Sequence, residues 1–146
     1  TTSGADHYYK SIQSRLKNFN LKNKNVFLFK SLGHTYYFSI CKNVDCMIGN
    51  SSSGIIEMPS FNKGTINVGN RQLGREQARS VINIKFSETD IMNGIKKIYS
   101  KKFKKILKKV RNPYEKKNSL LNVIKILKAL KIKNLQPKKF YDLKIK

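Results

Sequence analysis

The chain has 146 residues, enough for one domain with its own hydrophobic core. No apolar run approaches the roughly 18 residues that span a bilayer, so we expect no membrane span and no export leader. The two cysteines, Cys41 and Cys46, are too few for a disulfide framework, and no histidine accompanies them at a zinc-site spacing. We therefore expect a cytoplasmic protein that needs no metal or organic cofactor.

The net charge of +23 is concentrated in the last third of the chain. Residues 1–95 hold 12 Lys and Arg against 6 Asp and Glu, whereas residues 96–146 hold 19 against 2. Lys outnumbers Arg by 26 to 5, although a protein that reads nucleic acid through bidentate contacts is expected to use Arg. Because Lys, Asn and Ile all have AT-rich codons, we favour base-composition drift over selected polyanion binding. We predict no specific nucleic-acid partner.

Helical and strand patterns alternate over the first two thirds of the chain. Apolar spacing predicts helices over residues 7–19 and 35–43, the second with Thr35 as its N-cap. Short apolar runs predict four strands, which cover residues 25–30, 45–49, 65–69 and 80–85. Another helix is predicted over residues 54–61, after the strand at 45–49. Short strands that alternate with helices predict parallel βαβ units, hence an α/β fold with a Rossmann-like parallel sheet and flanking helices.

The last third is predicted to be helical. Ser87, with Asp90 three residues later, resembles a capping box that opens a helix reaching Val110. The pair Asn112-Pro113 must end this helix, since the residue before a proline is forced out of the α region. A last helix is predicted over residues 118–130 and a basic tail over 132–146. No linker or repeat interrupts the sequence, so we predict a single nucleotide-binding domain over residues 1–146.

The segment from Gly49 to Gly54 reads GNSSSG, between a predicted strand and a predicted helix. Serine hydroxyls and free backbone N–H groups at such a junction suit a phosphate group. Glu57, one turn later, is placed to accept hydrogen bonds from two sugar hydroxyls. The next strand delivers Arg71 to the same carboxyl edge of the sheet, where ligands of open α/β folds bind. Together these groups suit a nucleoside diphosphate.

Each of these features also has a purely structural interpretation. The serine run can be an ordinary turn before an N-capped helix, and Glu57 can simply complement the helix dipole. Arg71, Arg75 and Arg79, spaced four residues apart, can form one solvated face. The order and spacing of all the features together favour the nucleotide site.

The stretch GNSSSGIIEMPSFNKGTINVGNRQLGREQARSV closely resembles the C-terminal half of the hydrolysing UDP-N-acetylglucosamine 2-epimerases, which make N-acetylmannosamine or a related diacetamido sugar for sialic and legionaminic acid synthesis. The resemblance extends upstream through KSLGHTYYFSICKNVDCMIGN and TTSGAD, and downstream through NPYEKKNSLLNVIKIL to KKFYDL. It implies the second Rossmann-like half of a glycosyltransferase-B-type two-domain fold, with the active site in the cleft between the halves. The implied ligand is UDP or a UDP-sugar, and a homo-oligomer stays open.

Carried over by position, the resemblance implies a set of UDP-binding residues. Ser51 and Ser52 would bind the diphosphate with Ser53 adjacent, Glu57 would hold the ribose hydroxyls, Arg71 would close on the nucleotide, Leu32 would pack near the uracil, and Gly4 would lie at the rim. The chain departs from the family at Lys63-Gly64, where a proline commonly precedes the strand. This departure concerns the rigidity of one loop rather than the assignment of the site.

Catalytic residues are not expected within these 146 residues. The family eliminates UDP across C1–C2 of the sugar and then adds water with inversion at C2, which requires acids and bases on both faces of the ring. In the family these groups, including the histidine of a T-x-H-R-type motif, belong to an N-terminal domain that has no counterpart here. His7 and His34 lie outside any such motif. We therefore expect a C-terminal fragment that is inactive without its N-terminal domain, and the alternative is a lysine-rich module that binds nucleic acid or anionic membranes through residues 95–110.

Overall fold

The computed structural model describes residues 9–130. Predictions for Gly4, His7 and the tail 132–146 lie outside the described residues. The chain divides into two compact units, residues 1–112 and 113–146. The described elements, in chain order, are α1 (Tyr9–Lys22), α2 (Gly33–Asn43), β1 (Cys46–Gly49), α3 (Ser53–Ile56), a 3-10 turn (Met58–Phe61), β2 (Gly64–Val68), β3 (Val81–Ile84), α4 (Glu88–Tyr99), α5 (Lys101–Leu107) and, in the second unit, α6 (Ser119–Ala129).

Three strands of the first unit form a parallel sheet in the order β1-β2-β3. Cys46 pairs with Gly64 and Gly49 with Asn67, and on the other side of β2 Thr65 pairs with Val81. All three strands therefore end at one edge. The predicted parallel α/β arrangement is confirmed, and with helices beside the sheet the fold is Rossmann-like.

Helices cover both faces of the central strand β2. Thr65 and Ile66 are consecutive and point to opposite faces, as strand geometry requires. A Cβ atom at Gly54 of α3 would meet the Thr65 side chain, whereas one at Gly94 of α4 would meet Ile66. The helices α3 and α4 consequently lie on opposite faces of the sheet.

The main hydrophobic core lies between the sheet and the α4–α5 pair. Ile66, Ile82, Ile98 and Phe103 form this core and each is at most 7% exposed. Burial of a large apolar side chain contributes about 1.5–3 kcal/mol to the free energy of unfolding, so these four buried side chains account for a substantial part of the stability of the domain. They hold β2 and β3 in register, and the loops after those strands take their positions from them.

The strand predicted over residues 25–30 is wrong. The structure has a turn at its start, where Val26 N donates to Asn23 O at 3.0 Å, and then irregular chain. Phe27 is 75% exposed and Phe29 is 45% exposed. Among residues 9–130 only β1, β2 and β3 pair with one another, so this apolar run has no neighbouring strand to bond with.

The predicted helix over residues 54–61 is broken at Glu57. The α3 helix covers only Ser53–Ile56, and Met58–Phe61 form a 3-10 turn. Pro59 explains the break, because proline has no N–H to donate and disfavours the α conformation of the residue before it. Asn62 then ends the turn with a φ of 56°.

Two other helix boundaries differ from the prediction. Thr35 is not an N-cap, because α2 begins at Gly33 and has no side-chain cap bond. The helix predicted to run from residue 88 to 110 is interrupted at Ser100, whose backbone is extended. The Ser100 hydroxyl donates to Lys97 O at 2.7 Å and accepts from Phe103 N at 3.2 Å, so one serine ends α4 and caps α5. The cap predicted at Ser87 is confirmed, since its hydroxyl accepts from Asp90 N at 3.1 Å.

Several of the described helices carry exposed apolar side chains, among them α1 and α6. In α1, Leu16 is 36% and Phe19 57% exposed, and in α6, Leu120 is 71% and Leu127 60% exposed. Of the described helices, none is long and apolar enough to cross a membrane.

We predict that Gly54→Ala destabilises the protein by about 1–3 kcal/mol because α3 is packed too closely against β2 to admit a methyl group. The new Cβ would lie 2.5 Å from Thr65 Cγ2. Thr65 cannot rotate away cheaply, since its hydroxyl donates to Gly54 O at 2.6 Å. Urea unfolding measures the effect.

Thr65→Ser provides the matched background for this test, because it removes Cγ2 and keeps the hydroxyl. Gly54→Ala should cost much less in Thr65→Ser than in the wild type. An equal cost in both backgrounds would show that the clash is not the cause.

Candidate functional site

The serine loop, residues 50–53, follows β1 at the carboxyl edge of the sheet. Its turn is closed by Gly54 N, which donates to Ser51 O at 3.2 Å, and by Ile55 N and Ile56 N, which both donate to Ser52 O at 2.9 Å. The α3 helix that follows is only four residues long, so its dipole adds little to anion binding. The loop therefore offers hydroxyls and backbone N–H groups rather than the field of a long helix.

The three serines of this loop differ in availability. Ser51 is exposed and Ser52 half-buried. The Ser51 hydroxyl accepts from Ser53 N at 3.3 Å, a long bond that a stronger acceptor can replace. The N–H groups of Ser51 and Ser52 take no part in the hydrogen bonds of the described residues. Both remain available to a ligand, as the diphosphate assignment requires.

Ser53 is held between Tyr37 and Glu57. Its hydroxyl donates to Glu57 Oε2 and also lies within a short hydrogen bond of the Tyr37 hydroxyl. Because Ser53 has one proton and gives it to the carboxylate, Tyr37 must be the donor in the second bond. The Ser53 hydroxyl is thus occupied by protein groups, and the chain of bonds fixes the direction of the Glu57 carboxylate.

This arrangement suits the binding of two neighbouring hydroxyls. Glu57 is half-buried, and of its two carboxylate oxygens only Oε2 accepts a hydrogen bond within residues 9–130. An ionised carboxylate accepts at both oxygens, so Oε1 and the remaining lone pairs of Oε2 can receive a ligand diol. The predicted role of Glu57 in ribose binding therefore fits the local geometry.

Burial changes the acidity of the groups behind Glu57. It raises the pKa of Tyr37 to about 12, while the bond to Ser53 acts in the opposite direction and the neighbouring Cys41 and Glu57 add to the rise. Burial also raises the pKa of the Cys41 thiol. Tyr37 therefore stays protonated, and keeps its donor role, throughout the neutral range.

Arg71 lies in the loop that follows β2. Gly69, with a φ of 78°, turns the chain after the strand, and Leu73 N donates to Asn70 O at 2.9 Å. Arg71 itself is exposed. The next residue, Gln72, is 3% exposed, and its Nε2 donates to Asn50 O at 2.7 Å. The loop that carries Arg71 is thereby joined to the serine loop.

Leu32 lies half-buried immediately before α2. It lines two adjoining cavities, one of about 490 Å³ with Phe29, Tyr36 and Ile40, and one of about 380 Å³ with His34 and Tyr37. Tyr37 thus lines the second cavity and also contacts Ser53, which connects the Leu32 region to the serine loop. An apolar and aromatic wall of this kind suits a nucleobase.

A basic surface is formed by α5 and residues around it. Between Lys96 and Arg111 there are nine Lys and Arg and no Asp or Glu. A cavity of about 440 Å³ is lined by Ile106 and by a set of cations, namely Arg79, Lys102, Lys105, Lys108 and Lys109. Its walls are mostly apolar, so the charges surround a cavity formed largely by aliphatic side-chain stems.

Residues 1–128 match the UDP-N-acetylglucosamine 2-epimerase family over the whole described site. The chain belongs to this family. The match includes the serine loop, Glu57 and the Arg71 loop, whose geometry at the sheet edge is described above. The resemblance noted in the sequence is thereby confirmed at the level of the family.

Several curated relatives carry related names. The polysialic acid biosynthesis protein P7 of Escherichia coli is 39% identical over 142 residues, which cover 97% of this chain and 36% of that protein. The GDP/UDP-N,N'-diacetylbacillosamine 2-epimerase (hydrolyzing) of Campylobacter jejuni is 39% identical over 105 residues, 71% of this chain and 27% of that protein. The UDP-N-acetylglucosamine 2-epimerase of Neisseria meningitidis is 33% identical over 72 residues, 49% of this chain and 19% of that protein. This chain spans about a third of P7 and less of the other two.

Two residues of the site were not found by sequence reasoning. Tyr37 contacts Ser53 across 16 positions of the chain, and Gln72 contacts Asn50 across 22. Tyr37 carried no signal beyond its place in an apolar helix. Gln72 stood directly after Arg71 within the RQLGR motif, and this adjacency was the one available indication.

We predict that Tyr37→Phe makes stability less sensitive to alkaline pH. Folding raises the pKa of Tyr37 from 10.0 to about 12. The stability that the folded protein gains by keeping Tyr37 protonated is therefore fully present below pH 10.0, and it is lost as the pH rises towards 12. Tyr37→Phe removes this term, so the difference in unfolding free energy between wild type and variant should shrink from about pH 10 to about pH 12.

Tyr36→Phe is the control, since Tyr36 is the adjacent residue and is 73% exposed. Urea unfolding at a series of pH values measures both variants. A constant difference between wild type and Tyr37→Phe over this range would contradict the assignment.

Proposed function

We propose that this chain is the UDP-binding half of a hydrolysing UDP-N-acetylglucosamine 2-epimerase, or of the corresponding enzyme for a UDP-diacetamido sugar. The observation that carries the proposal is the contact between two loops at the carboxyl edge of a parallel sheet, in a chain of this family. Gln72 Nε2 joins the Arg71 loop to Asn50 of the serine loop at 2.7 Å. A diphosphate needs hydrogen-bond donors to its phosphate oxygens, which the serine loop offers, and a cation, which the Arg71 loop offers.

The nucleotide is assigned to this site by parts. The diphosphate lies on Ser51 and Ser52, with Ser53 adjacent, and Arg71 closes on it. The ribose hydroxyls bond to Glu57, whose carboxylate Ser53 orients. The uracil packs in the region of Leu32, whose cavities lie beside Tyr37. Gly4 at the rim stays a prediction.

The reaction itself requires groups that we assign to a part of the enzyme beyond this chain. Elimination of UDP and addition of water at C2 require a base, an acid and a positioned water near the sugar ring. In this proposal the chain contributes leaving-group stabilisation, because the N–H groups and Arg71 bind the diphosphate as it departs. The chain alone binds UDP and does not turn over substrate.

The wider architecture in this proposal is a two-domain glycosyltransferase-B-type enzyme with its substrate between the domains. The assignment of residues 1–146 to one nucleotide-binding domain, the cytoplasmic location and a homo-oligomeric state stay predictions. Support for the hydrolysing branch comes from the Campylobacter jejuni relative, whose name carries that term.

We expect Glu57→Ala and Arg71→Ala each to weaken UDP binding at least about 10-fold, equivalent to about 1.4 kcal/mol, because each removes charge-assisted hydrogen bonds. Calorimetric titration of UDP at about 0.3 M salt measures this while screening the lysine excess. UMP tests the second phosphate and ADP tests the base.

Matched controls for this experiment are Glu88→Ala in the first turn of α4 and Lys97→Ala in its last turn, both at exposed positions. Both should bind UDP as the wild type does. Equal UDP affinity in the wild type, Glu57→Ala and Arg71→Ala would refute the assignment of these residues.

The basic cavity on α5 supports a second candidate function, a lysine-rich surface that binds polyanions such as nucleic acid or anionic membranes. Five cations surround that cavity, and none of the residues from 96 to 111 is acidic. Binding of this kind releases counterions and therefore weakens steeply with salt.

We predict that a variant with Gln at positions 102, 105, 108 and 109 loses binding to a single-stranded oligonucleotide and to vesicles with anionic lipid. Its UDP affinity should be unchanged. The wild type should show a steep decrease in affinity between about 0.05 and 0.2 M salt, measured by fluorescence anisotropy and vesicle co-sedimentation. Affinity that is independent of salt, or equal in the variant, would argue against this surface.

A further inference from the structure

Gln72 is buried at a cost that needs a physical reason. It is 3% exposed, and its Oε1 atom is buried with no hydrogen-bond partner among the described residues. An unpaired buried amide oxygen is unfavourable, so an apolar side chain of similar size would be expected to give a more stable loop. Among the described residues, the polar contact that the Gln72 side chain makes is the bond from Nε2 to Asn50 O at 2.7 Å.

That bond fixes the orientation of one peptide group in the serine loop. The peptide between Asn50 and Ser51 is planar and trans, so its C=O and its N–H point in opposite directions. Because the Asn50 carbonyl is turned towards buried Gln72, the Ser51 N–H must point away from it. Ser51 is exposed, and its N–H is free of hydrogen bonds within residues 9–130.

We propose that Gln72 is a positioning residue that holds the Asn50–Ser51 peptide with its N–H towards the diphosphate of the ligand. The proposal rests on the function proposed above, and it names the residue that prepares the phosphate part of the site. A peptide that is already oriented needs no rearrangement when the anion arrives, and such preorganisation raises affinity. Since Gln72 follows Arg71 directly, the same bond sets the distance between the serine loop and the closing cation.

Gln72 and the hydrogen-bonded group Tyr37–Ser53–Glu57 are proposed to affect different parts of the ligand. Glu57, held by Ser53, faces the ribose in the proposed site, whereas the Ser51 N–H faces phosphate. Loss of the Gln72 bond should therefore weaken binding of UDP and leave binding of uridine nearly unchanged. Loss of Glu57 should weaken binding of both.

Gln72→Met is the main variant, since methionine has a similar length and no polar group. We expect it to weaken UDP binding about 10-fold, equivalent to about 1.4 kcal/mol, with unchanged affinity for uridine. Its melting temperature should stay equal or rise, because the unpaired Oε1 is removed. A purely structural role would instead lower the melting temperature and weaken both ligands equally, and that result would overturn the proposal.

Gln72→Glu provides a signature that depends on pH. The introduced carboxyl can donate to Asn50 O only when it is protonated, and burial raises the pKa of a carboxyl group. The ratio of wild-type to variant UDP affinity should therefore fall towards one as the pH is lowered from about 8 to about 5. Taking the ratio at each pH cancels the titration of UDP itself. A ratio that does not change with pH would contradict the donor role of this side chain.

A measurement without ligand separates this proposal from the proposed function. In the unliganded wild type, an NMR experiment for couplings across hydrogen bonds should detect Gln72 Nε2 coupled to the Asn50 carbonyl carbon, and Gln72→Met should shift the Ser51 amide resonance. Absence of both effects would refute the positioning role. A wild-type chain that has these signals but does not bind UDP would contradict the proposed function while retaining the peptide orientation set by Gln72.

Discussion

The geometry of the candidate site depends on the close contact between Gly54 and Thr65. Thr65 lies on the central strand, is 2% exposed, and donates its hydroxyl proton to Gly54 O at 2.6 Å. A helix of four residues has no stability of its own, because nucleation costs more than its few hydrogen bonds return. The α3 turn, and with it the serine loop, therefore takes its position from β2. The rigidity of β2 comes in turn from strands on both sides and from the core under Ile66.

Two separate hydrogen-bonded contacts prepare the two parts of the site. Tyr37 and Ser53 fix the direction of the Glu57 carboxylate, and Gln72 fixes a peptide of the serine loop. Neither Tyr37 nor Gln72 has to touch a ligand in order to act in this way. Ligand-binding loops of α/β folds are short and exposed, so side chains that bond to them from buried positions reduce the number of conformations open to the free protein.

The sequence permitted prediction of the structural elements that depend on neighbouring residues in the chain. The strands at 45–49, 65–69 and 80–85 were predicted correctly because each is a short apolar run bounded by polar or glycine residues. Their three carboxyl ends form the edge of the sheet at which the candidate site lies. Ser100 and Pro59 are visible in the sequence as residues that can end a helix. The regular apolar spacing around them nevertheless led to predictions of continuous helices, whereas α3 ends before Pro59 and α5 begins anew after Ser100. The run 25–30 has strand composition, yet a strand also needs a partner, and composition does not report one. Contacts such as Tyr37–Ser53 and Gln72–Asn50 join residues far apart in the chain, and no spacing rule indicates them.

The basic helix α5 and the candidate nucleotide site are physically separable because the sheet lies between them. The basic helix α5 packs through Phe103 on the face of the sheet that carries Ile66, whereas α3 packs on the opposite face through Gly54 and Thr65. Charges on α5 therefore act on a ligand beside the serine loop only over a distance. At physiological ionic strength the field of an exposed charge is largely screened beyond about 8 Å. The net charge of +23 can raise the rate at which an anion approaches the protein, but in the proposed site discrimination among anions would come from the contacts of the serine loop, Glu57 and the Arg71 loop.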